Sequence, residues 1–232
     1  MTHTTPVTRV TVALPASPYD VTVGAGLLYR VGELVPVPPY ARRAAVVASG
    51  VPCRRYAPAV VGSLARTGLQ VDVVELPDGE QAKNLDTLAA CYAAFARLPL
   101  GRDDLVVALG GGVVGDLAGL AAATWNRGVA LVQVPTTLLA QVDAAIGGKT
   151  GVDLPEGKNL VGAFHQPIAV VADTSVLQTL PPRQWRHQTP IGLPTSSTAA
   201  TLQHNVPAPH ARPATTRDSD IGTVTFSEVA GG

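Results

Sequence analysis

The sequence predicts an α/β fold in which helices cover both faces of a doubly wound, mostly parallel sheet. Strand-like segments alternate with segments of helical spacing, which is typical of parallel strands joined by helical crossovers. Hydrophobic residues make up 46% of the 232 residues but aromatic residues only 4%, and this composition suits strands buried on both faces. A glycine-rich turn at 110–112 joins a strand to a helix. Together these observations favour a ligand-binding sheet of the open α/β type.

The first part of the chain supplies four predicted strands and two predicted helices. The strands are expected at 8–14, 20–23, 44–49 and 70–76. The helices are expected at 60–66 and 84–97. In the second helix the apolar residues recur at helical spacing, namely Leu85, Leu88, Ala89, Tyr92 and Phe95.

The alternation continues around the glycine-rich turn. A strand is predicted at 105–109, a helix at 113–125 and a further strand at 130–134. Ligands of such sheets bind outside the carboxyl ends of the strands. The sequence therefore predicts a ligand crevice near Gly110 and Pro135.

The composition of the sequence changes after about residue 185. Residues 186–232 are rich in Thr, Ser, Pro, Ala and His and show no sustained periodicity. Such composition is typical of disordered segments. We expect one domain at 1–185 and a disordered or non-native tail at 186–232.

Charge and cysteine content exclude several classes of protein. Lys+Arg and Asp+Glu both total 17, so no global basic field predicts binding to nucleic acid or to a membrane surface. The two cysteines, Cys53 and Cys91, are too few for a disulfide framework, and Cys91 is expected to be buried. No apolar run is long enough to span a bilayer, and residues 1–9 lack a signal-peptide core. A cytoplasmic location is therefore expected.

The turn at 110–115 contains the pattern G-x-G-x-x-G between a strand and a helix. Glycines let the backbone approach a pyrophosphate, toward which the N–H groups at the helix start point. The alternative is a tight turn that needs glycine only for positive φ. The acidic residue expected about 20 positions later is absent from 133–137, so other groups would have to hold a ribose.

Polar residues concentrate among glycines between 127 and 159. The cluster contains Arg127, Gln133, Thr136, Thr137, Gln141, Asp143, Lys149, Lys158 and Asn159. Only 15% of the chain is charged, so cationic groups around glycine loops favour a pocket for a phosphorylated, acidic small molecule. Gly147-Gly148-Lys149-Thr150 lacks the first glycine of a Walker A motif, which excludes an NTPase of that kind. A single lysine in such a place is otherwise usually a solvated loop residue.

These residues, in this order, resemble those of the 3-dehydroquinate synthases. The resemblance runs from near the start of the chain to about residue 185. The matching segments are 78–85 (DGEQAKNL), 110–128 (GGGVVGDLAGLAAATWNRG), 132–167 (VQVPTTLLAQVDAAIGGKTGVDLPEGKNLVGAFHQP) and 179–183 (TLPPR). The related sugar-phosphate cyclases share the fold, but the motif details favour the dehydroquinate branch.

The resemblance implies a Rossmann-like NAD-binding domain and an enzyme that makes 3-dehydroquinate in the shikimate pathway. The implied substrate is 3-deoxy-D-arabino-heptulosonate 7-phosphate. Bound NAD transiently oxidises a ring hydroxyl, which acidifies the neighbouring proton and makes elimination of phosphate possible. The family also implies a divalent metal, zinc or cobalt, and a homodimer.

The resemblance implies roles for particular residues. The expected NAD contacts are Glu80, Lys83, Gly111, Gly112, Val113, Asp116, Thr136, Thr137 and Lys158. The expected substrate contacts are Arg127, Asp143, Lys149, Lys158 and Asn159. Of these, Asp143, Lys149 and Lys158 are the expected catalytic residues, and Arg127 would reach a phosphate across a dimer interface.

The tail departs from the family pattern. After 182–183 the family continues into a helix whose glutamate binds the metal, and two later histidines complete the site. Here 184–190 begins no such helix, and the remaining histidines lack metal-ligand spacing, namely His187, His204 and His210. We therefore predict no metal ligand, a largely missing helical metal-binding domain, and a truncation or frame disruption near residue 186.

Three functions remain open from the sequence. The first is an active 3-dehydroquinate synthase. The second is a catalytically inactive NAD-binding fragment that lacks the metal site. The third is a related cyclase that acts on another sugar phosphate.

Overall fold

The computed structural model of the protein describes residues 7–180. Within that range the strands β1 to β9 are Thr8–Val12, Tyr19–Gly24, Arg43–Ser49, Gln70–Leu76, Leu105–Gly110, Ala130–Pro135, Lys149–Leu154, Gly157–Phe164 and Ala169–Asp173. The helices α1 to α4 are Val31–Leu34, Gly50–Ala65, Leu85–Arg97 and Gly112–Thr124. Each helix in the described range is too short or too polar to cross a membrane.

Seven of these strands form one sheet, in the order β1-β2-β9-β6-β5-β3-β4. Only the β1–β2 pair is antiparallel, and all the other neighbours run parallel. The chain passes from β3 outward to β4 and then returns across β3 to β5 and β6. The order thus reverses between β3 and β5, where open α/β sheets bind their ligands. The predicted doubly wound, mostly parallel sheet is confirmed.

The core lies on both faces of this sheet. In β3, Ala44, Val46 and Ala48 pack with α2 on one face. The alternate residues Ala45 and Val47 pack with α3 and α4 on the other face. Because β3 is buried on both sides, its sequence is a continuous apolar run rather than an alternation.

Several predicted boundaries were wrong. The helix predicted at 60–66 is the end of α2, which already begins at Gly50 and contains Pro58 in its interior. A proline there removes a backbone donor and disfavours a helix locally, but burial of Val60 and Leu64 outweighs this preference. The other strands and helices differ from prediction by a residue or two at their ends, and α1 and β9 were not predicted.

The secondary structure expected for the segment 149–164 was also wrong. Lys149 and Lys158 were expected on glycine loops, but they lie on β7 and β8, which form an antiparallel hairpin. This hairpin packs on α4 through small residues: a Cβ on Gly119 would lie 2.4 Å from Thr150 Cγ2. Tertiary packing, rather than local strand propensity, therefore defines the hairpin.

The two cysteines offer a test of this packing. Cys91 is buried in α3, and burial raises its pKa to about 11, whereas Cys53 is half-buried in α2. The thiolate is the reactive form. With Ellman's reagent we expect Cys53 to react in the native protein and Cys91 to react only on unfolding. Cys53→Ser should remove the faster phase alone, and fast reaction of both thiols would contradict the fold around α3.

Candidate functional site

The glycine turn joins β5 to α4 by close approach rather than by an unusual backbone. Positive φ does not occur at Gly110, Gly111 or Gly112, so the alternative interpretation of this turn was wrong. A Cβ on Gly110 would lie 2.7 Å from Val114 Cβ. A Cβ on Gly111 would lie 3.1 Å from Thr137 Cγ2. Glycine is needed here because helix, strand and the neighbouring loop meet without room for a side chain.

A cavity of about 550 Å³ opens at the carboxyl ends of β3, β5 and β6. It lies at the edge of the sheet where the sequence placed the crevice. Six of the predicted NAD contacts line it, namely Glu80, Gly111, Gly112, Val113, Thr136 and Thr137. The structure therefore brings most of the predicted cofactor residues to one concave surface.

Two helices begin at this cavity without a side-chain cap. The N-cap residue of α2 is Ser49, whose side chain accepts no hydrogen bond from the helix. The N-cap residue of α4 is Gly111, which has no side chain that could accept one. In contrast, Thr87 N of α3 donates to the Oδ1 of the N-cap Asn84 at 2.9 Å. The first N–H groups of an uncapped helix and its dipole both favour a negatively charged ligand. The cavity is suited to a diphosphate.

A second cavity, of about 510 Å³, lies between α4, the π-helical segment Ala140–Ala144 and the hairpin. Its lining includes the predicted residues Asp116, Asp143, Lys149 and Asn159. Apolar side chains of the hairpin, such as Phe164, complete the wall. Carboxylate, amide and ammonium groups over an apolar wall suit a polar, acidic small molecule.

The buried Lys83 binds two residues that line the second cavity, Asp116 and Asn159. Its Nζ donates to Asp116 Oδ2 and, at 2.5 Å, to Asn159 Oδ1, and the side chain is only 8% exposed. Asp153 N donates to the Lys83 carbonyl oxygen at 2.9 Å, and Asn159 N donates to Asp153 Oδ1 at 2.8 Å. These bonds join the loop after β4, helix α4 and the turn of the hairpin.

The carboxyl group of Asp116 has a raised pKa. Burial raises the pKa of its carboxyl group, and the nearby carboxylates of Asp153 and Glu80 act in the same direction. The ammonium group of Lys83 opposes this rise but does not cancel it. The pair with Lys83 is therefore what keeps a poorly solvated carboxylate charged.

An exposed ion pair crosses the same region. Lys158 Nζ donates to Glu80 Oε1 at 2.9 Å, and this bond raises the pKa of Lys158. Both side chains are more than half exposed, and pairs of this kind contribute little to stability. Lys158 thus contacts the loop that carries Glu80, whereas its neighbour Asn159 lines the second cavity.

Arg127, like Lys158, is a predicted substrate residue that lines neither of the two cavities. It is exposed beyond the C-terminal end of α4, with φ of 63°. Helix α4 begins at the glycine turn, and its 13 residues span roughly 20 Å. The role of Arg127 across a dimer interface, which the resemblance implies, stays a prediction.

The sequence reasoning missed several residues that line the first cavity. Ser49 is the last residue of β3, and Asp78 lies two residues after the end of β4; Tyr56 of α2 and Thr179 line the cavity as well. The position of Asp78 shortly after the predicted strand 70–76 could have identified it as a candidate cavity residue. It was overlooked because the expected acidic residue was counted forward from Gly110, whereas the relevant strands precede that glycine in the chain.

Metal binding finds no support among residues 7–180. In that range no three His, Cys, Asp or Glu side chains lie close enough to hold a metal ion. His187, His204 and His210 lie outside the described residues. The part of the chain that is described does not fit the divalent metal that the resemblance implies.

Comparison with known proteins identifies the family. The model of the 3-dehydroquinate synthase N-terminal family matches residues 73–187. A curated 3-dehydroquinate synthase of Gloeobacter violaceus is 52% identical over 178 residues, which is 77% of this chain and 49% of the relative. The chain belongs to the 3-dehydroquinate synthase family, through its N-terminal domain. It spans about half the length of the curated 3-dehydroquinate synthases that it matches.

Solved structures agree with the fold. A 2-deoxy-scyllo-inosose synthase complexed with carbaglucose-6-phosphate, NAD+ and Co2+ superposes with a TM-score of 0.69 at 32% identity. A 2-epi-5-epi-valiolone synthase from Streptomyces hygroscopicus with NAD+ and Zn2+ bound superposes with a TM-score of 0.67 at 32% identity. Each match covers 76% of this chain and 48% of the other. The 3-dehydroquinate synthase family thus shares its N-terminal architecture with other sugar-phosphate cyclases.

Proposed function

We propose that this chain supplies the NAD-binding half of a 3-dehydroquinate synthase, in a domain that ends near residue 185. The observation that carries the proposal is the cavity at the carboxyl ends of β3, β5 and β6, onto which two uncapped helices open. The NAD+ bound by the two related cyclases supports the same cofactor here.

The cofactor would lie with its diphosphate at the start of α4. Backbone N–H groups of Gly112 and Val113 would bind the phosphate oxygens, and Thr136 and Thr137 would contact a ribose and the nicotinamide. Gly110 and Gly111 support this arrangement indirectly, because they let the turn pack closely against Val114 and Thr137 at the start of α4. When bound, NAD would supply a reversible hydride acceptor for a ring hydroxyl.

The sugar phosphate would occupy the second cavity. Lys149 would neutralise an anionic end of the substrate, and Asp143 and Asn159 would bind its hydroxyl groups. The link through Lys83 would hold Asn159 at a fixed distance from Asp116. This arrangement supports a substrate that lies alongside the nicotinamide rather than in a separate site.

Arg127 would act in the substrate site of a second subunit. Its exposed position at the end of α4 opposite the glycine turn supports the homodimer that the family resemblance implies. In such a dimer the guanidinium group would bind a phosphate in the partner's cavity.

A second candidate function is dinucleotide binding without turnover. It is favoured by the sequence after residue 183, which departs from the family pattern that carries the metal ligands. The discriminating experiment is a coupled assay for phosphate release from 3-deoxy-D-arabino-heptulosonate 7-phosphate, with NAD and Zn²⁺ or Co²⁺ present. Turnover that a chelator abolishes would support the synthase. NAD binding without turnover would support the second candidate.

The position of the diphosphate can be tested with an isosteric pair of variants. Val113 lies in the first turn of α4 and lines the cavity. An aspartate there suits the helix dipole by roughly 0.3–1 kcal/mol, so the fold should be retained, but its charge opposes a diphosphate. We expect the Kd for NAD of Val113→Asp to exceed that of Val113→Asn about tenfold, measured by calorimetry. Equal Kd values would place the diphosphate away from α4.

A further inference from the structure

The two glycines before Lys149 form a loop that needs support from outside. Gly147 and Gly148 adopt φ values of +90° and +68°, which glycine enters without strain but does not hold by itself. A Cβ on Gly148 would lie 2.9 Å from Gln166 Cδ, so the loop packs against the segment after β8. Lys149 follows as the first residue of β7 and lines the second cavity. The position of its ammonium group therefore depends on what fixes this loop.

Hydrogen bonds from two parts of the chain hold the glycine loop. Gly147 N donates to Tyr19 Oη of β2 at 3.1 Å. Gln166 Nε2 donates to the Gly147 carbonyl oxygen at 3.2 Å. His165 N donates to the Gly148 carbonyl oxygen at 2.7 Å. The residues that follow β8 thus bind the carbonyl groups of both glycines.

The ring of His165 fastens this segment to the central sheet. Its Nε2 lies 2.9 Å from the Val129 carbonyl oxygen, and because a carbonyl oxygen only accepts, the ring nitrogen is the donor. Val129 is 2% exposed and directly precedes β6. Its own N donates to the Ala122 carbonyl oxygen of α4 at 2.9 Å. His165 therefore joins the loop before Lys149, through its backbone, to a buried point of the sheet, through its side chain.

His165 lies behind the substrate cavity rather than in it. Its side chain is half-buried and lines neither of the two cavities. The ring can therefore act on a ligand only through the residues that it positions. A displacement of about 1 Å in a group that binds a substrate can reduce the rate about 100-fold, so a support of this kind matters for Lys149.

We propose that His165 is a positioning residue that places Lys149 to bind the anionic end of the sugar phosphate. The inference rests on the proposed function and adds a residue outside both cavities on which substrate affinity depends. It gives a role to His165, which belongs to the matching segment 132–167 but for which the resemblance implies none.

The test measures the Kd for 3-deoxy-D-arabino-heptulosonate 7-phosphate by calorimetry, with NAD present. His165→Phe keeps an aromatic ring but removes the donor, whereas His165→Gln keeps an N–H group at a similar reach. We expect the Kd to rise about tenfold in His165→Phe and to stay close to that of the unsubstituted chain in His165→Gln. The Kd for NAD alone should be unchanged in both variants, because the first cavity does not include His165.

A second background separates positioning of Lys149 from a general loss of structure. If His165 acts through Lys149, His165→Phe should weaken binding in the unsubstituted chain but not in Lys149→Met. The matched control is Thr67→Val, which removes a side-chain hydrogen bond of 2.7 Å to the Leu64 carbonyl oxygen. Thr67 lines neither cavity, so both Kd values should stay unchanged. If His165→Phe does not fold, as judged by circular dichroism, His165→Leu takes its place.

The outcomes separate the two proposals. An unchanged Kd for the sugar phosphate in His165→Phe, or the same loss in the Lys149→Met background, would overturn this inference and leave the proposed substrate site intact. Weak binding by His165→Gln, an equal loss of NAD affinity in His165→Phe, or a loss in Thr67→Val would also overturn it. If the unsubstituted chain does not bind the sugar phosphate, or if Lys149→Met binds it equally well, the proposed role of Lys149 fails and this inference with it.

Discussion

Replacement of Lys83 by methionine is expected to lower the free energy of unfolding by about 3 kcal/mol. Methionine retains a flexible apolar stem of similar length but leaves the partly buried Asp116 carboxylate without its cation. Removal of one member of a buried pair is costly because the other charge stays poorly solvated. Asn159 loses the same partner, so the hairpin turn should also loosen. Chemical denaturation followed by circular dichroism measures the loss.

A double variant separates the charge from the packing. Lys83→Met with Asp116→Asn removes both charges while the shapes of the side chains are nearly kept. Because no charge is then left unpaired, the double variant should be more stable than Lys83→Met alone. If the two have the same stability, the ion pair with Asp116 is not the cause of the loss.

The pH dependence of this variant has a defined sign. The folded-state pKa of Asp116 is raised above its ordinary value, mainly by burial. A raised pKa contributes stability that is complete below the unfolded-state pKa and is lost as the pH rises through the folded-state pKa. Without Lys83 the folded-state pKa should rise further. The deficit of Lys83→Met relative to the unsubstituted chain should therefore shrink as the pH falls and the Asp116 carboxyl group becomes protonated. A deficit that grows toward acid would contradict this account.

The sequence predicted the central strands well because their signals are local. The run 105–109 ends at Gly110, and the apolar positions of 84–97 repeat at helical spacing, so neither depends on distant contacts. The crevice follows from the same strands, since parallel strands end at one edge of the sheet. Predictions of this kind need only the order of elements along the chain.

The hairpin could not be predicted in the same way. Strand β8 is largely exposed. Glycine and lysine occur together at the start of β7, in 147–149, and at the start of β8, in 157–158, which locally favours loops. Its structure depends on pairing with β7 and on close contact with α4, through Gly119, Gly151 and Gly162. The buried position of Lys83 was hidden for the same reason, because its partners Asp116 and Asn159 come from α4 and from the hairpin.

Gly119→Ala tests whether α4 sets the position of the hairpin. A Cβ at 119 would lie 2.4 Å from Thr150 Cγ2 and 3.1 Å from Thr150 Cβ, so the hairpin must move outward. Overpacking destabilises by up to about 3 kcal/mol. The higher helix propensity of alanine relative to glycine offsets at most about 1 kcal/mol of this loss. We expect a net loss of about 2 kcal/mol in the free energy of unfolding, together with faster hydrogen exchange in β7 and β8.

Thr150→Ser provides the compensating change. Serine lacks the methyl group that the new Cβ would meet but keeps the hydroxyl that donates to the Ala163 carbonyl oxygen, which Thr150 does at 2.8 Å. Stability and exchange rates in Gly119→Ala with Thr150→Ser should therefore return toward those of Thr150→Ser alone. Recovery would show that one methyl contact fixes the distance between α4 and the hairpin, and with it the width of the second cavity. If the double variant is no more stable than Gly119→Ala, the contact with the Thr150 methyl group is not the cause of the loss.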